Sequence, residues 1–354
     1  MAQFIFLTTK SAKCTILRLV EEGAMHRLVR SKCHSHSKQR FTAGNENYEF
    51  LGSIGNGAVG LVRKARNTKT GLIVAVKVLA PDPKYINEDA FDEVETRFKR
   101  EGTRGAHLQH SNLVKTIAFE DNEGGECFDK RQVKNPFLVM EYIGGRTLES
   151  LIKRIGSSSE PGRTHVTEQT LFVASRICDA LAYLHKKQII HRDVKPANIF
   201  LSAAVVGSVP SLVKLGDFGI TKRGDFLASA ASGTLTVTKQ EGLGTMKYMS
   251  PEQAVRPKEV SVRSDMFSVG VTFFELFTGQ ILPSQHHVFE IMSARASRES
   301  TMAKLLSLGI KCQDGALDMF EVVFDMFLTS PRARPASVDV AGRMQYLLEK
   351  HFDH

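Results

Sequence analysis

The first third of the chain alternates short β-rich apolar runs with polar turns, and the rest carries apolar positions at helical spacing. Tyr48-Glu49-Phe50-Leu51, Leu61-Val62-Arg63-Lys64-Ala65 and Leu72-Ile73-Val74-Ala75-Val76-Lys77-Val78-Leu79 read as strands. The polar link Asn67–Gly71, ending in glycine, makes the last two a hairpin. Residues 88–108 are charged and helix-compatible, and Leu113–Glu120 and Phe137–Glu141 predict two more strands. From about residue 147 the period changes. Leu171, Ala174, Ile177, Cys178, Leu181 and Leu184 recur at three- and four-residue steps and mark one buried helical face. Asp265–Thr278 and residues 316–328 predict further helices. Residues 157–162 read as an exposed loop between helices, and 203–211 as a loop before a short strand. The pattern is α+β: a small β-rich unit with one helix, then a larger helical unit, with no internal repeat.

Composition narrows the class. The chain has 354 residues, 42% hydrophobic and 24% charged, which suits a soluble protein of two lobes or domains. No run of about 18 apolar residues occurs, so a membrane span is not expected. Phe4-Ile5-Phe6-Leu7 is short and lacks a basic region before it, so no signal peptide is expected either. Neither a sensor domain nor an anchor is expected after the helical unit. Five scattered cysteines suggest reduced thiols and a cytoplasmic setting. The net charge is +9, and residues 1–47 hold eight Lys/Arg against three Glu. Such a basic extension can touch nucleic acid, acidic lipid or an acidic partner. No nucleic-acid module accompanies it, so it reads as a solvated, poorly ordered segment and no nucleic acid is expected. Cys33-His34-Ser35-His36 lacks a second ligand pair and reads as incidental composition.

The chemistry sits in His191-Arg192-Asp193-Val194-Lys195-Pro196-Ala197-Asn198. Asp193 can accept a hydroxyl proton, Lys195 can neutralise phosphate charge, and Asn198 can offer an amide oxygen to a hard cation. Asp217-Phe218-Gly219 supplies a second metal-ligand candidate, Asp217. Upstream, Ile54-Gly55-Asn56-Gly57-Ala58-Val59-Gly60 contains G-x-G-x-x-G between two strand-like runs. Glycines there let the backbone approach phosphate oxygens. A dinucleotide-binding fold uses the same glycines, but there they open a helix after one strand; alone the motif fits an ordinary glycine hairpin turn as well as a phosphate loop. Val74-Ala75-Val76-Lys77 follows one hairpin later and puts a lysine on an apolar strand, where it needs a partner. Glu101, on the following helix, is the best one; Glu93 and Glu95 are alternatives.

These motifs, in this order, resemble the eukaryotic-like protein kinases, and most closely the bacterial Hanks-type serine/threonine kinases. Arg100-Glu101, Met140-Glu141-Tyr142 and Ser250-Pro251-Glu252-Gln253-Ala254 carry the bacterial likeness, which covers roughly residues 48–349. The resemblance implies the bilobal kinase fold, with an N-lobe over residues 48–143 holding one regulatory helix and a helical C-lobe over 144–349. It implies ATP and Mg²⁺, with Mn²⁺ as an alternative, and transfer to Ser/Thr hydroxyls of protein substrates. Asp193 and Lys195 would then be catalytic, with Asn198 and Asp217 holding metal. Residues 54–60 and Lys77 would hold phosphates. Met140 would stand behind the adenine, backbone groups of Glu141 and Ile143 would bond its edge, and Val62, Ala75 and Phe200 would sandwich it. Those apolar residues are equally compatible with plain strand core. Glu252 would pair with Arg334, and Asp265 would hold the catalytic-loop backbone. Arg192 implies control by phosphorylation at Thr234, Thr236 or Thr238, with transient self-association; Thr245 and Lys195 fit a Ser/Thr acceptor.

Two departures stand out. Val59 replaces an aromatic residue at the tip of the glycine loop. Gly102 and Gly105 sit in the helix of Glu101, which predicts either a mobile helix or tight packing against the helical lobe. A pseudokinase scaffold and a small-molecule phosphotransferase are the rival classes. The full catalytic set argues against the first, and Gly244-Thr245 to Ser250-Pro251-Glu252 against the second.

Overall fold

The computed structural model describes residues 16–20, 27–31, 40–56, 60–80, 88–121, 135–158, 162–202, 209–217, 246–283, 288, 298–312 and 316–352. Strands β1 (Ile16–Val20) and β2 (Arg27–Ser31) pair antiparallel as a separate two-stranded sheet. Cys33 to His36 lie outside the described residues.

The main sheet has six strands: β3 (Arg40–Ala43), β4 (Glu46–Asn56), β5 (Gly60–Asn67), β6 (Ile73–Leu79), β7 (Thr116–Glu120) and β8 (Phe137–Glu141). They are ordered β3-β4-β5-β6-β8-β7, each antiparallel to its neighbour. The sheet thus begins at Arg40, inside the segment that composition assigns to a poorly ordered extension. Phe41 and Ala43 explain the difference. Both point inward from β3, and Phe41 stacks on Tyr48 and Phe50, with ring centroids 5.2 and 4.5 Å apart. Two buried apolar residues in four were masked by the surrounding basic charge. The β3–β4 turn uses Gly44 and Asn45, both at positive φ (54° and 65°), where glycine and asparagine are the least strained residues. Gly44 N–H donates to Glu120 Oε1 on β7, 2.8 Å away, so the two edges of the sheet meet.

The period-2 rule divides β6 between two faces. Val74, Val76 and Val78 enter a core with Phe41, Tyr48, Phe50 and Phe137. Ala75, Lys77 and Leu79 face the other way, toward α1 (Glu88–Gly105). Val94 and Phe98 of α1 pack there with Leu79 and Leu138. The expected hairpin link is present: Asn67 Oδ1 accepts the Lys69 and Thr70 N–H groups, both at 2.9 Å.

The helical lobe holds α2 (Leu148–Ser158), α3 (Glu168–Lys186), α4 (Pro251–Val255), α5 (Val262–Thr278), α6 (Arg298–Ser307), α7 (Ala316–Met326) and α8 (Ser337–Phe352). Helix α2 runs through Ser158, so the first two serines of the expected 157–162 loop belong to its last turn. Thr167 caps α3 and Ser261 caps α5, each in a capping box, which satisfies first-turn N–H groups. Helix α5 is buried nearly all round, as its largely apolar sequence requires, with Phe267, Phe274 and Phe277 meeting Phe320 and Phe327. A small antiparallel sheet, β11-β10-β9, joins β9 (Gly145–Thr147), β10 (Ile199–Ser202) and β11 (Val213–Leu215). Among the described residues, no helix is long and apolar enough to cross a membrane.

Candidate active site

Two elements deliver the cationic side of the site. Lys77 projects from β6, and its Nζ lies 3.1 Å from Glu101 Oε1 and 2.5 Å from Asp217 Oδ1. The partner sought from sequence is therefore Glu101. Glu95 pairs instead with Lys99, one helical turn on, at 3.2 Å, and the Glu93 side chain lies outside the described residues. Burial opposes charge on Lys77, but Asp217 and Glu101 together hold its pKa above the usual lysine value. Burial pushes the Glu101 carboxyl up to about 7; Lys77 pulls it down, while Asp217 and Asp193 push it further up. Among the described residues Glu101 Oε2 is buried with no hydrogen bond. Acidification through that range neutralises Glu101 and leaves Lys77 to Asp217 alone. On the ATP-dependent kinase reading that the sequence resemblance implies, kcat/KM for ATP is expected to fall as pH drops below about 7, and Glu101→Gln should start low and lose this acid limb. Steady-state kinetics between pH 5.5 and 8.5 check it; an unchanged limb in Glu101→Gln would assign the titration elsewhere.

The catalytic loop supplies the other side. Asn198 Nδ2 donates to the Asp193 carbonyl at 2.9 Å and to Asp193 Oδ2 at 2.8 Å, and Lys195 Nζ lies 3.1 Å from the same Oδ2. With its amide nitrogen spent on Asp193, the Asn198 amide oxygen is the group left to face a cation. The Gly216 N–H donates to the Asn198 carbonyl at 2.9 Å, which brings Asp217 beside it. Asp217 has φ +57°, a backbone state that costs a non-glycine residue about 1 kcal/mol or more. Asp193, Asp217 and Glu101 bring three carboxylates against the two ammonium groups of Lys77 and Lys195. This negative excess, with oxygen donors from Asn198 and Asp217, fits a hard divalent cation such as Mg²⁺.

The loop is rigidly held. Asp265 of α5 accepts His191 N–H and Arg192 N–H, both at 2.8 Å, and meets His185 Nε2 at 2.9 Å. Burial keeps the pKa of His191 below the ordinary value, and its Nε2 lies 3.2 Å from the Gly216 carbonyl. Arg192 sits at φ +68°, and Gln253 Nε2 reaches its carbonyl at 3.3 Å. Gln253 in turn closes a capping box with Ser250 at the start of α4.

The nucleotide positions follow the strand register. Val62 pairs with Lys77 across β5–β6, and Met140 with Ala75 across β6–β8. Val62, Ala75, Met140, Ile143 and Phe200 are all half-buried, around the mouth of the site. The Glu141 N–H is bonded to the Lys115 carbonyl at 3.0 Å. Ile54 and Gly55 are exposed at the end of β4, Asn56 closes that strand, and Gly60 opens β5. Gly57, Ala58 and Val59 lie outside the described residues, as do Phe218, Gly219, Thr234, Thr236, Thr238 and Thr245. Glu252 and Arg334 form the expected pair, at 2.6 and 2.9 Å.

Sequence reasoning missed Lys214, which bridges Glu141 Oε1 (2.7 Å) and the Leu113 carbonyl (3.2 Å). The signal was available, since Lys214 is a lysine on the apolar strand Val213–Leu215, as Lys77 is on β6. His185 and Gln253 were also missed; a polar residue inside a buried helical face marks the first.

The protein kinase domain family model matches residues 48–342. The chain is 36% identical over 235 residues to a probable serine/threonine-protein kinase, PknB, of Bifidobacterium longum, covering 66% of this chain and 30% of that protein. It is 34% identical over 240 residues to serine/threonine-protein kinase PknB of Mycobacterium leprae, covering 67% and 33%. The chain thus spans about a third of the length of these curated relatives. The crystal structure of the PknI kinase domain of M. tuberculosis shares the fold, with a TM-score of 0.56 at 19% identity over 89% of this chain and 99% of that one.

Proposed function

Because the chain belongs to the protein kinase domain family, we propose that it transfers the ATP γ-phosphate to serine or threonine hydroxyls of protein substrates. The observation that supports this most is the meeting of Lys77, Glu101 and Asp217 with the Asp193–Lys195–Asn198 cluster. In this reading residues 48–349, with β3 added to their sheet, form the kinase unit. Residues 54–60 and Lys77 hold the phosphates, and Val62, Ala75, Met140 and Phe200 enclose the adenine against the backbone of Glu141 and Ile143. Asn198 and Asp217 would hold Mg²⁺, or Mn²⁺, which neutralises phosphate charge when bound. Asp193 orients the acceptor hydroxyl and takes its proton as the oxygen bonds to the γ-phosphorus and the bond to ADP breaks. Lys195, beside Asp193, offsets charge on the transferring group. The chain acts in the cytoplasm on this reading, in keeping with the buried, unbridged thiol of Cys178.

Arg192 is the candidate receptor for a phosphate on Thr234, Thr236 or Thr238, placed there by transient self-association. Incubation with labelled ATP and Mg²⁺ should put label into protein Ser/Thr and not into a panel of sugars and aminoglycosides. Mapping should find phosphate at one or more of those threonines, and none in Asp193→Asn. Label appearing only in the small molecules would replace the protein-kinase reading with a small-molecule phosphotransferase. No label at all would favour a scaffold.

A further inference from the structure

Gly102 follows Glu101 directly on α1, and its hydrogen faces the ring of Phe119 on β7. A Cβ built at Gly102 would lie 2.2 Å from Phe119 Cδ2, 2.6 Å from Cγ and 2.7 Å from Cε2. No real pair of carbon atoms packs that closely, and the contact spans the body of a ring rather than the end of a flexible chain. One turn on, a Cβ at Gly105 would stand 2.8 Å from Thr116 Oγ1. Val94, Phe98, Gly102 and Gly105 fall on one stripe of the helix, all turned toward the sheet. The large pair, Val94 and Phe98, fills the core with Leu79 and Leu138. The glycine pair lets the C-terminal half of α1 close onto β7 until backbone meets side chain.

The depth of that closure governs Glu101. Its Oε1 reaches Lys77 Nζ at 3.1 Å. Among the described residues its Oε2 is buried with no hydrogen bond. Lys77 is therefore the contact that α1 must deliver, and a retreat of the helix by about 1 Å carries the pair beyond hydrogen-bond range. We infer that Gly102 and Phe119 form a packing key that sets how deeply α1 docks and so positions Glu101 on Lys77. The two glycines pack against β7 of the small lobe, not against the large lobe as the sequence had suggested. Neither residue touches nucleotide in this scheme; both act through Glu101. The inference rests on the reading of Lys77 and Glu101 as the phosphate-positioning pair.

Gly102→Ala tests it in the full chain. The substitution favours helix formation in itself, so a loss of stability is not its expected signature. kcat/KM for ATP should fall at least tenfold, mostly through kcat, with the melting temperature within a few degrees of wild type. Phe119→Ala alone should keep activity within about threefold. The double variant Gly102→Ala/Phe119→Ala moves the volume from ring to helix and should return to within about threefold of wild type. Full activity in Gly102→Ala, or a loss that Phe119→Ala does not reverse, overturns the key. Should Gly102→Ala alone fail to fold, the folded double variant still decides by its activity. Lys77→Met run in parallel separates the two readings. If Lys77→Met is active, the pair itself is misassigned; if it is inactive while Gly102→Ala is not, only the packing key fails.

Discussion

Asp193→Asn is expected to lower phosphoryl transfer by roughly 10²–10⁴-fold, the usual worth of a positioned general base, while the protein stays folded and keeps its affinity for ATP. Asn is nearly the same shape, so the contact with Asn198, 2.8 Å in the native loop, can be kept by one amide rotamer. What the amide cannot do is take a proton. It also removes the negative charge that faces Lys195 at 3.1 Å, freeing that ammonium to shift. Single-turnover transfer from labelled ATP, beside a calorimetric ATP titration, measures both halves. A variant within threefold of wild type in transfer would remove Asp193 from the proton-accepting role. A variant that had lost ATP binding would point instead to a structural part in the loop.

Arg334→Met is expected to cost about 3–5 kcal/mol of folding stability, the usual price of leaving a buried charge without its partner. At roughly 1–2 °C per kcal/mol for a chain of 354 residues, the melting temperature should fall by roughly 3–10 °C. Every donor of this guanidinium is used. Nη1 binds Glu252 Oε1 at 2.6 Å and the Arg263 carbonyl at 3.0 Å, Nη2 binds Glu252 Oε2 at 2.9 Å and the Thr329 carbonyl at 3.4 Å, and Nε binds the Leu328 carbonyl at 2.7 Å. The guanidinium also lies over the Phe267 ring, 5.2 Å from its centre. Burial raises the Glu252 pKa, but the hydrogen bonds from Arg334 and Ser264 outweigh it and hold the carboxyl below its ordinary value. The depressed pKa means that the pair's contribution is present above the unfolded carboxylate range and is lost as pH falls through the folded pKa. Arg334→Lys should not rescue, because an ammonium cannot span both carboxylate oxygens and the flanking carbonyls. The double variant Arg334→Met/Glu252→Leu should recover much of the loss, since an apolar pair leaves no charge buried. Thermal melts of the three variants suffice, and equal melting temperatures for wild type and Arg334→Met would contradict the argument.

The catalytic loop was legible in the sequence because its chemistry is local. Asp193, Lys195 and Asn198 lie within one short loop, and the structure needs only a tight turn, Pro196–Asn198, to join them. Lys77 and Glu101 were legible through a physical conflict, a charge on an apolar strand, which demanded a partner. The same conflict at Lys214 went unread, since no helix glutamate stood near it in sequence; its partner, Glu141, lies 73 positions away. Strand β3 was hidden because only Phe41 and Ala43 face inward and basic residues surround them. The meaning of Gly102 could not be read at all without Phe119, for a missing side chain speaks only through what occupies its space. In the structure Ser250 caps α4 and, through Gln253, steadies the carbonyl of Arg192.

Strand β3 also decides where this chain can be cut. With Arg40–Ala43 in place, β4 is an interior strand, and the Gly44 contact with Glu120 brings the rim of the sheet around to β7. A chain shortened to begin at Tyr48 would lose the Phe41 ring from its aromatic stack and open a row of unpaired backbone groups along β4. Such a rim recruits strands from other molecules. The minimal autonomous fragment therefore starts upstream of Arg40, and shorter versions should be prone to aggregation before they are poor enzymes.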